Sequence, residues 1–298
     1  MPKISVLVTG ATGFIGSNLV RHLISNNLDV HVLIRVDSSL DLLNQSAEKF
    51  TSHVYDGTIV RLKKILAEVS PTHVFHLASL FLSEHDDSNL DDLVNSNIVF
   101  STQLVEAMVA AGVTNLINTG TSWQHYEQDS YNPVNLYAAT KQAFESILTY
   151  YIRVHGLKVI TLLLFDTYGE NDPRRKIFNI LYQSALSSEP ILMSPGEQLV
   201  NIVHVEDVVK AFYVSFKAIS RQEIGHLRYG ISSGQPIPLR DLAGIFEKTL
   251  SLELNVTWGE RPYRKREVMI PWDQYEMLPG WSPEVVLEEG IARSYPLS

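Results

Sequence analysis

The stretch "ISVLVTGATGFIGSNLV", Ile4–Val20, decides the fold. An apolar, β-branched run at Ile4–Val8 ends at Thr9-Gly10, and Gly10, Gly13 and Gly16 follow at three-residue spacing. A pattern of helical period begins at Phe14. Continuous apolar runs are the signature of strands buried on both faces, as in parallel sheets covered by helices. A glycine at the strand end permits a tight turn. The next lets backbone N–H groups approach an anion, and the third lets helix and strand pack closely. The helix N-terminus adds partial positive charge that favours phosphate. The spacing is GxxGxxG rather than the commoner GxGxxG. Lying between a strand and a helix, the three glycines point to a dinucleotide site rather than a merely tight turn.

Outward from this loop the pattern alternates. Apolar runs at Val30–Ile34, Val74–Leu77, Leu116–Thr119 and Val159–Phe165 read as strands. Between them, Phe14–Ile24, Leu62–Val69, Ile98–Ala111 and Leu136–Val154 have helical spacing. Strand–helix–strand repetition with right-handed crossovers predicts an α/β fold, a doubly wound parallel sheet of the Rossmann type. After Asp166 the alternation loosens and prolines punctuate short elements, which predicts a smaller C-terminal substrate-binding lobe. The expected division is a dinucleotide-binding domain at 1–165, with 201–225 returning to it. The smaller lobe then takes 166–200 and 226–298.

The 298 residues suffice for a large core, and 45% apolar with 19% charged residues is an ordinary globular balance. A formal charge of −9 disfavours non-specific nucleic-acid binding. The absence of cysteine excludes disulfides, thiolate metal sites and a cysteine nucleophile. No run is long enough for a signal segment or a membrane span, so a soluble, cytoplasmic protein is expected, with no membrane partner.

The second strand runs into "VHVLIRVDSS". Its tip falls at Ile34, followed by Arg35. Arg35, with Ser38 or Ser39, is placed to receive a ribose 2′-phosphate, which favours NADP(H) over NAD(H). Asp37 offers the competing reading, a ribose-diol ligand, and Arg35 the plainer one of a solvated loop charge.

In "VNLYAATKQAFE", Tyr137 and Lys141 stand four residues apart on one helical face. A free tyrosine titrates near pH 10, and a neighbouring ammonium favours its phenolate. The pair is an ordinary surface contact or a proton donor with its tuning cation. With the glycine loop upstream and "LINTGTSWQ" ending a strand, the second reading gains. Here the chain resembles the extended short-chain dehydrogenase/reductase family, in its NAD(P)-dependent sugar-nucleotide epimerase/dehydratase/reductase branch. The resemblance runs through "VTGATGFIG", "HVFHLAS" (His73–Ser79), "NSNIVFSTQLVEA" (Asn95–Ala107) and "LYAATK". It continues in "LFDTYGENDPR" (Leu164–Arg174), "NIVHVEDVVKAF" (Asn201–Phe212) and "GWSPEVVLEEGI" (Gly280–Ile291).

The resemblance implies roles by position. Tyr137 is the expected general acid/base, and Lys141 the residue that holds the nicotinamide ribose and lowers the phenol pKa. Thr121, with Ser122 beside it, is the expected hydroxyl that polarises the substrate carbonyl, and Asn97 supports the lysine. Cofactor contacts are expected from Gly10, Thr12, Gly13, Phe14, Ile15 and Gly16. Leu77, Ala78 and Ser79 are expected along the cofactor, Asp56 near its adenine, and Arg35 with Ser38 at its ribose. The strand end departs from the family's Ser/Thr-x-x-Val-Tyr-Gly, and Thr121 and Tyr137 are only sixteen positions apart. Where the family's 4,6-dehydratases carry Asp-Glu after the threonine, this chain has Ser122 and Trp123.

A nucleoside-diphosphate sugar is the implied substrate. The usual diphosphate-binding arginine is absent from Gln198–Val205, so Arg174, Arg175 and the cluster Arg261, Arg264, Lys265 and Arg266 are the alternatives, with surface salt bridges the plainer reading. Ser122 and Trp123 are candidate sugar contacts, and Trp123 is equally a packing residue. His73 and His76 are read as packed or hydrogen-bonded, His204 and Asp207 as orienting a strand-to-helix junction, and no metal is expected. The expected reaction is NADPH-dependent reduction of the C4 ketone of a nucleotide-linked 4-keto-6-deoxy or dideoxy hexose, in deoxysugar and surface-polysaccharide biosynthesis. The look is closest to the CDP-abequose/paratose synthase type. The alternatives are an NAD-dependent 4-epimerase, a 4,6-dehydratase and a non-catalytic dinucleotide-binding protein. The family also implies a homodimer through the helix of Tyr137. Phe144, Ile147, Leu148 and Tyr151 are available for that contact or for the core.

Overall fold

Ser5–Thr9 form the first strand, β1, with four of its five residues buried, as a strand covered on both faces requires. This computed structural model describes residues 4–43, 50–221 and 225–295. The expected domain limits at 1 and 298, and residues 222–224 of the expected return, lie outside the described residues. After β1 come α1 (Phe14–Ser25), β2 (Asp29–Arg35), β3 (Phe50–Tyr55), α2 (Ile59–Val69) and β4 (His73–His76). Next are α3 (Leu90–Val94), a π-helical turn at Asn95–Val99, α4 (Phe100–Ala110), β5 (Asn115–Thr121), α5 (Leu136–His155) and β6 (Lys158–Leu164). The remainder is β7 (Asp166–Tyr168), α6 (Ile177–Leu186), β8 (Ile191–Met193), β9 (Leu199–Val200), β10 (Ile202–His204), α7 (Val205–Ile219) and β11 (Gly225–Ile231). β12 (Ile237–Pro238), α8 (Leu239–Leu250), β13 (Val256–Trp258) and α9 (Leu287–Ser294) complete the chain.

Seven strands pair in parallel in the order β11-β6-β5-β4-β1-β2-β3. One face packs on α1 and α7 through Leu19, Leu23, Val209 and Phe212. The other packs on α2, α4 and α5 through Leu62, Leu66, Leu104 and Phe144. Helices on both faces make the sheet doubly wound, and the chain reverses direction between β1 and β4, where open α/β sheets bind ligands. A third core, around Phe178, Leu242, Phe246 and Ile291, belongs to α6, α8 and α9. Around it lie three two-stranded pairs, β7–β10, β9–β12 and β8–β13.

Several expectations change here. The strand within Asn201–Phe216 is β10, and it pairs with β7 rather than with the large sheet. Only α7 returns, against α1, β5 and β6. The edge strand β11 is the true extension of the sheet, so a division at 225/226 cuts through a strand. Phe144, Leu148 and Tyr151 are core residues, 1%, 0% and 6% exposed, and Ile147 is only partly buried. Those side chains therefore face the sheet, because the α5 stripe that carries them is the stripe the sheet needs covered. His204 and Asp207 do orient a junction. His204 caps α7 through Glu206 N, and Asp207 accepts from Glu284 N (3.0 Å) and Val285 N (2.9 Å), which fastens the C-terminal segment. No helix among the described residues is long and apolar enough to cross a membrane.

The two β4 histidines are hydrogen-bonded inside the sheet. His76 bonds with Thr9 Oγ1 (2.8 Å) and Ser101 Oγ (2.9 Å), and His73 with Thr72 Oγ1 (2.8 Å) and Ser220 Oγ (3.0 Å). Burial holds His76 neutral, pushed down to about 3 with help from the Lys141 charge, and burial alone takes His73 to about 4. The unfolded imidazole binds its proton near pH 6.5, so between pH 6.5 and 4 the unfolded chain holds more protons. Stability is complete above pH 6.5 and falls as pH drops toward the folded values. Thermal midpoints measured from pH 7 to 4.5 should therefore decline steeply, and His76→Gln should flatten that slope.

Candidate active site

The loop after β1 folds as it does because two glycines have no alternative there. Gly10 has φ +69°, and a Cβ on it would lie 2.5 Å from Ala78 N. A Cβ on Gly16 would meet Gly10 O at 2.1 Å. Gly13 N–H donates to Gly10 O (3.1 Å), and Gly13 then caps α1 without any side-chain hydrogen bond to the first turn. The first-turn amides of α1 thus face a groove unserved by a cap, an arrangement that suits a phosphate. Gly10, Gly13, Phe14, Ile15, Gly16, Leu77 and Ser79 line this groove, which encloses about 1020 Å³ together with its open mouth. Thr12 and Ala78 stand outside the lining, and Ala78 supports Gly10 with its backbone.

At its far end the groove reaches Thr121, Ser122, Trp123, Tyr137 and Lys141. Asn135 starts α5, accepting from Ala138 N (3.0 Å) and donating to Leu82 O (3.1 Å) and Ser83 O (3.0 Å). This double tie aims the first turn of α5, and hence Tyr137, at the loop after β4. Asn97 makes the second tie. Its Nδ2 donates to Leu80 O (3.0 Å) and Thr140 Oγ1 (2.9 Å), and its Oδ1 accepts from Leu80 N (2.8 Å) and Ser79 Oγ (3.1 Å). The π-helical turn that carries Asn97 re-aims one side chain inside a long helix, a frequent use of such turns. Asn97 thus ties Thr140, the residue before Lys141, to the loop after β4.

The electrostatics differ from the expected tuning. Burial pushes the Tyr137 phenol up to about 12, opposed by a hydrogen bond with Ser79 and by the Arg174 charge. Burial pulls the Lys141 ammonium down to about 8, opposed by Glu145. The cation that acts on the phenol here is Arg174, and desolvation outweighs it. At neutral pH the pair is therefore a protonated phenol beside a largely protonated amine.

Sequence reasoning missed three neighbours. Phe81 meets Tyr137 edge-to-face (5.0 Å between centroids) and Trp123 at 5.6 Å. Lys176 Nζ lies 4.2 Å from the Phe81 ring centre and 3.3 Å from Asp166 Oδ1. Asp166, Trp123, Ser122 and Phe165 line both this groove and a second pocket of about 920 Å³. The only signal for Phe81 was an aromatic placed just after a strand end. Lys176 lay hidden in a basic run with Arg174 and Arg175.

The second pocket lies between the large sheet and the smaller lobe, and Tyr126, Gln198, Asn201, Arg264, Glu267 and Trp272 are among its lining. His125 stacks on Trp272 at 3.8 Å. Gln198 Oε1 and His125 Nε2 are buried without a hydrogen-bond partner, so a polar ligand there would satisfy both. The basic residues expected to gather an anion are mostly paired already. Arg174 binds Asp172 (2.7 Å) and lies over Phe14 at 4.5 Å, at the glycine-loop end. Arg264 forks onto Glu267 (2.9 and 3.1 Å) and reaches the Trp123 ring at 5.6 Å. Arg266 bonds Asn132 and covers the Tyr126 ring at 4.2 Å. Arg175 and Arg261 are exposed and outside both linings.

At the β2 tip Arg35 pairs with Asp37 (3.4 Å), and its N–H donates to Ser38 Oγ (3.0 Å). The two competing ribose ligands thus occupy one exposed ion pair. Asp56 accepts from Thr58 N (2.9 Å) and Thr58 Oγ1 (2.7 Å), bonds that hold its carboxyl below the usual range and shape the turn into α2. Among the described residues there is no cluster of three or more potential metal ligands.

Comparison with known proteins bears on the same features. The CDP-abequose synthase of Salmonella muenchen is 25% identical over 292 residues, covering 97% of this chain and 96% of that protein. The UDP-glucose 4-epimerase of Mycolicibacterium smegmatis is 29% identical over 310 residues, covering 97% and 96%. The crystal structure of UDP-glucose 4-epimerase with UDP-glucose from Thermotoga maritima superposes with a TM-score of 0.84 at 22% identity, over 97% of both chains, a likeness of fold. The family model described as "NAD dependent epimerase/dehydratase family" matches residues 6–229. That span runs from the glycine loop through the Tyr137–Lys141 helix to the edge strand, and by it the chain belongs to the NAD dependent epimerase/dehydratase family of enzymes.

Proposed function

We propose that this enzyme uses NADPH to reduce the C4 ketone of a nucleotide-linked 4-keto-6-deoxy or dideoxy hexose. The observation that carries the reading is the convergence of Thr121, Tyr137 and Lys141 at the end of a groove that begins at an uncapped helix N-terminus. The glycine cradle fits a dinucleotide pyrophosphate, because any Cβ at Gly10 or Gly16 would fill the space that backbone needs. Gly13, Phe14 and Ile15 would receive that pyrophosphate, Ser79 and Lys141 the nicotinamide ribose, and Arg35 with Ser38 a 2′-phosphate. When bound, the cofactor supplies a hydride to C4. In the proposed mechanism the chain's residues do the rest. Thr121 holds the carbonyl oxygen, Tyr137 gives it a proton, and Lys141 stabilises the phenolate left behind. A phenol at about 12 is protonated at neutral pH, the state that ketone reduction needs first. The nucleotide would lie in the second pocket, between the sheet and the smaller lobe. This division of labour between the lobes belongs to the proposal.

The similarity to CDP-abequose synthase over nearly the whole chain supports reduction. Ser122 and Trp123 offer no carboxylate for eliminating water, which argues against dehydration. A second reading, an NAD-dependent 4-epimerase, draws support from the Mycolicibacterium smegmatis relative. It uses the same residues, with the ketone formed and reduced again in one site. The test is a panel of CDP-, dTDP- and GDP-linked 4-keto-6-deoxy sugars with NADPH and NADH, followed by product NMR. The expected result is stoichiometric NADPH oxidation with one of them and a new C4 carbinol. Enzyme purified with dinucleotide held in place, interconverting hexoses with none added, would favour the epimerase instead.

A further inference from the structure

Behind the reacting groups lies a charged bridge that the proposed mechanism does not use. Glu145 sits one turn after Lys141 on α5 and is 1% exposed. Its two oxygens are both engaged: Oε1 accepts from Gln124 Nε2 at 2.9 Å, and Oε2 from Arg228 Nε at 2.5 Å. Gln124, also 1% exposed, uses its other end to accept from Thr121 N at 3.0 Å. It also donates to Gln142 Oε1 at 2.9 Å. Arg228 belongs to the edge strand β11, and its side chain is 46% exposed. One continuous path therefore runs from solvent, through a buried carboxylate, to the backbone of the residue that ends β5.

Burying a carboxylate beside an apolar cluster costs stability unless its partners are well placed, and an apolar side chain of similar volume is often as stable. What the charge adds is geometry. Gln124 ends the short turn Ser122–Gln124, and Thr121 Oγ1 accepts from Trp123 N (3.3 Å) within that turn. Backbone bonds already tie the turn to the segment leading into α5, Val134 N to Trp123 O (2.9 Å) and Asn132 N to Gln124 O (2.9 Å), and the bridge adds a side-chain tie between the Thr121 amide and α5, the helix that carries Tyr137 and Lys141. With it, β5, α5 and β11 are locked in one register at the reacting end. We infer that Gln124 and Glu145 are positioning residues that fix the Thr121 hydroxyl relative to Tyr137, with Arg228 as the solvent-side anchor. For its consequence in turnover the inference rests on the reductase reading. The bridge itself stands apart from that reading.

The test has two arms on the full chain. The first is hydrogen exchange of the Thr121 amide. Gln124→Met, similar in length but without donor or acceptor, should speed that exchange by roughly tenfold or more, and amides in β1 and α8 should keep their rates. Arg228→Gln, at a half-exposed position that leaves the core intact, should give a smaller change in the same direction. Unchanged Thr121 exchange in both variants would overturn the bridge. The second arm is kinetic. Gln124→Met should lower kcat by roughly 10- to 100-fold, as a small misplacement of a reacting group does, with dinucleotide affinity unaltered. On a Thr121→Val background the same substitution should cost almost nothing further, because its effect passes through Thr121. Equal losses on both backgrounds would assign the bridge a purely structural role and overturn the inference. If the unmodified enzyme reduced no keto sugar, the functional reading would fail while the exchange arm still decided the bridge.

Discussion

Tyr137→Phe should abolish most turnover, lowering kcat by roughly 10²- to 10⁴-fold, while dinucleotide affinity stays within about twofold. The asymmetry follows from what each part of the side chain does. The ring packs edge-to-face on Phe81, and phenylalanine keeps that contact. The hydroxyl bonds with Ser79 and, in the proposed reaction, is the proton source for the substrate oxygen. Removing it leaves the glycine loop, the α1 N-terminus and Lys141 in place, so the groove keeps its shape and its cation. The loss belongs in kcat, because a proton is delivered only as charge develops on the oxygen. Stopped-flow NADPH oxidation and a fluorescence titration of the dinucleotide separate the two quantities. A variant that retained full turnover would remove Tyr137 from the chemistry. One that lost turnover and dinucleotide affinity together would point to a collapsed groove. The raised phenol strengthens the expectation. A hydroxyl pushed up to about 12 by burial holds its proton throughout neutral pH, the state from which the proposed reaction needs it to donate.

The sheet and the candidate reacting pair were legible because their signals are local. The core strands β1, β2, β4, β5 and β6 are apolar runs buried on both faces, and α5 shows its period over five turns. The edge strands hid. β3, Phe50–Tyr55, mixes partly buried and exposed residues with none fully buried, and β11 carries His226, Arg228 and Tyr229 where a core strand would carry aliphatics. An edge strand is covered on fewer sides, so its composition approaches that of a loop. The site was legible wherever a motif fixed it and obscure wherever the fold assembled it. Tyr137 and Lys141 lie on one helix, whereas Phe81, Asp166 and Lys176 reach the same groove from three separate segments. The basic cluster illustrates the same limit. Sequence shows that Arg174, Arg264 and Arg266 are cations, but only packing shows that each already has a polar partner. The phenol's direction of shift was missed for the same reason. Spacing reveals the neighbouring ammonium, and burial, which wins here, depends on the whole cleft.

Gly10→Ala should cost on the order of 3–5 kcal/mol and remove dinucleotide binding from whatever fraction still folds. Two penalties act at once. The backbone at Gly10 has φ +69°, a left-handed conformation that a side chain makes unfavourable by about 1 kcal/mol or more. The added carbon would also lie 2.5 Å from Ala78 N, 2.6 Å from Leu77 C and 2.8 Å from Ala78 Cα. These are backbone atoms of the segment that follows β4, pinned by Leu77 N to Thr9 O (3.2 Å) and Ala78 N to Thr9 Oγ1 (3.2 Å). Neither side can yield without breaking the bonds that hold the β1 and β4 tips together. Relief by moving Gly10 instead would carry Gly13 with it, through the Gly13 N to Gly10 O bond, and so tilt the first turn of α1. Gly234→Ala supplies the control. That glycine also has positive φ, +74°, but a Cβ there meets nothing within 4 Å. It should lose only the conformational part, about 1 kcal/mol, and bind dinucleotide normally. Chemical denaturation and dinucleotide titration of the two variants side by side measure the steric share directly. Equal losses in the two would mean that the tight approach of Gly10 to the Leu77–Ala78 backbone plays no part in building the loop.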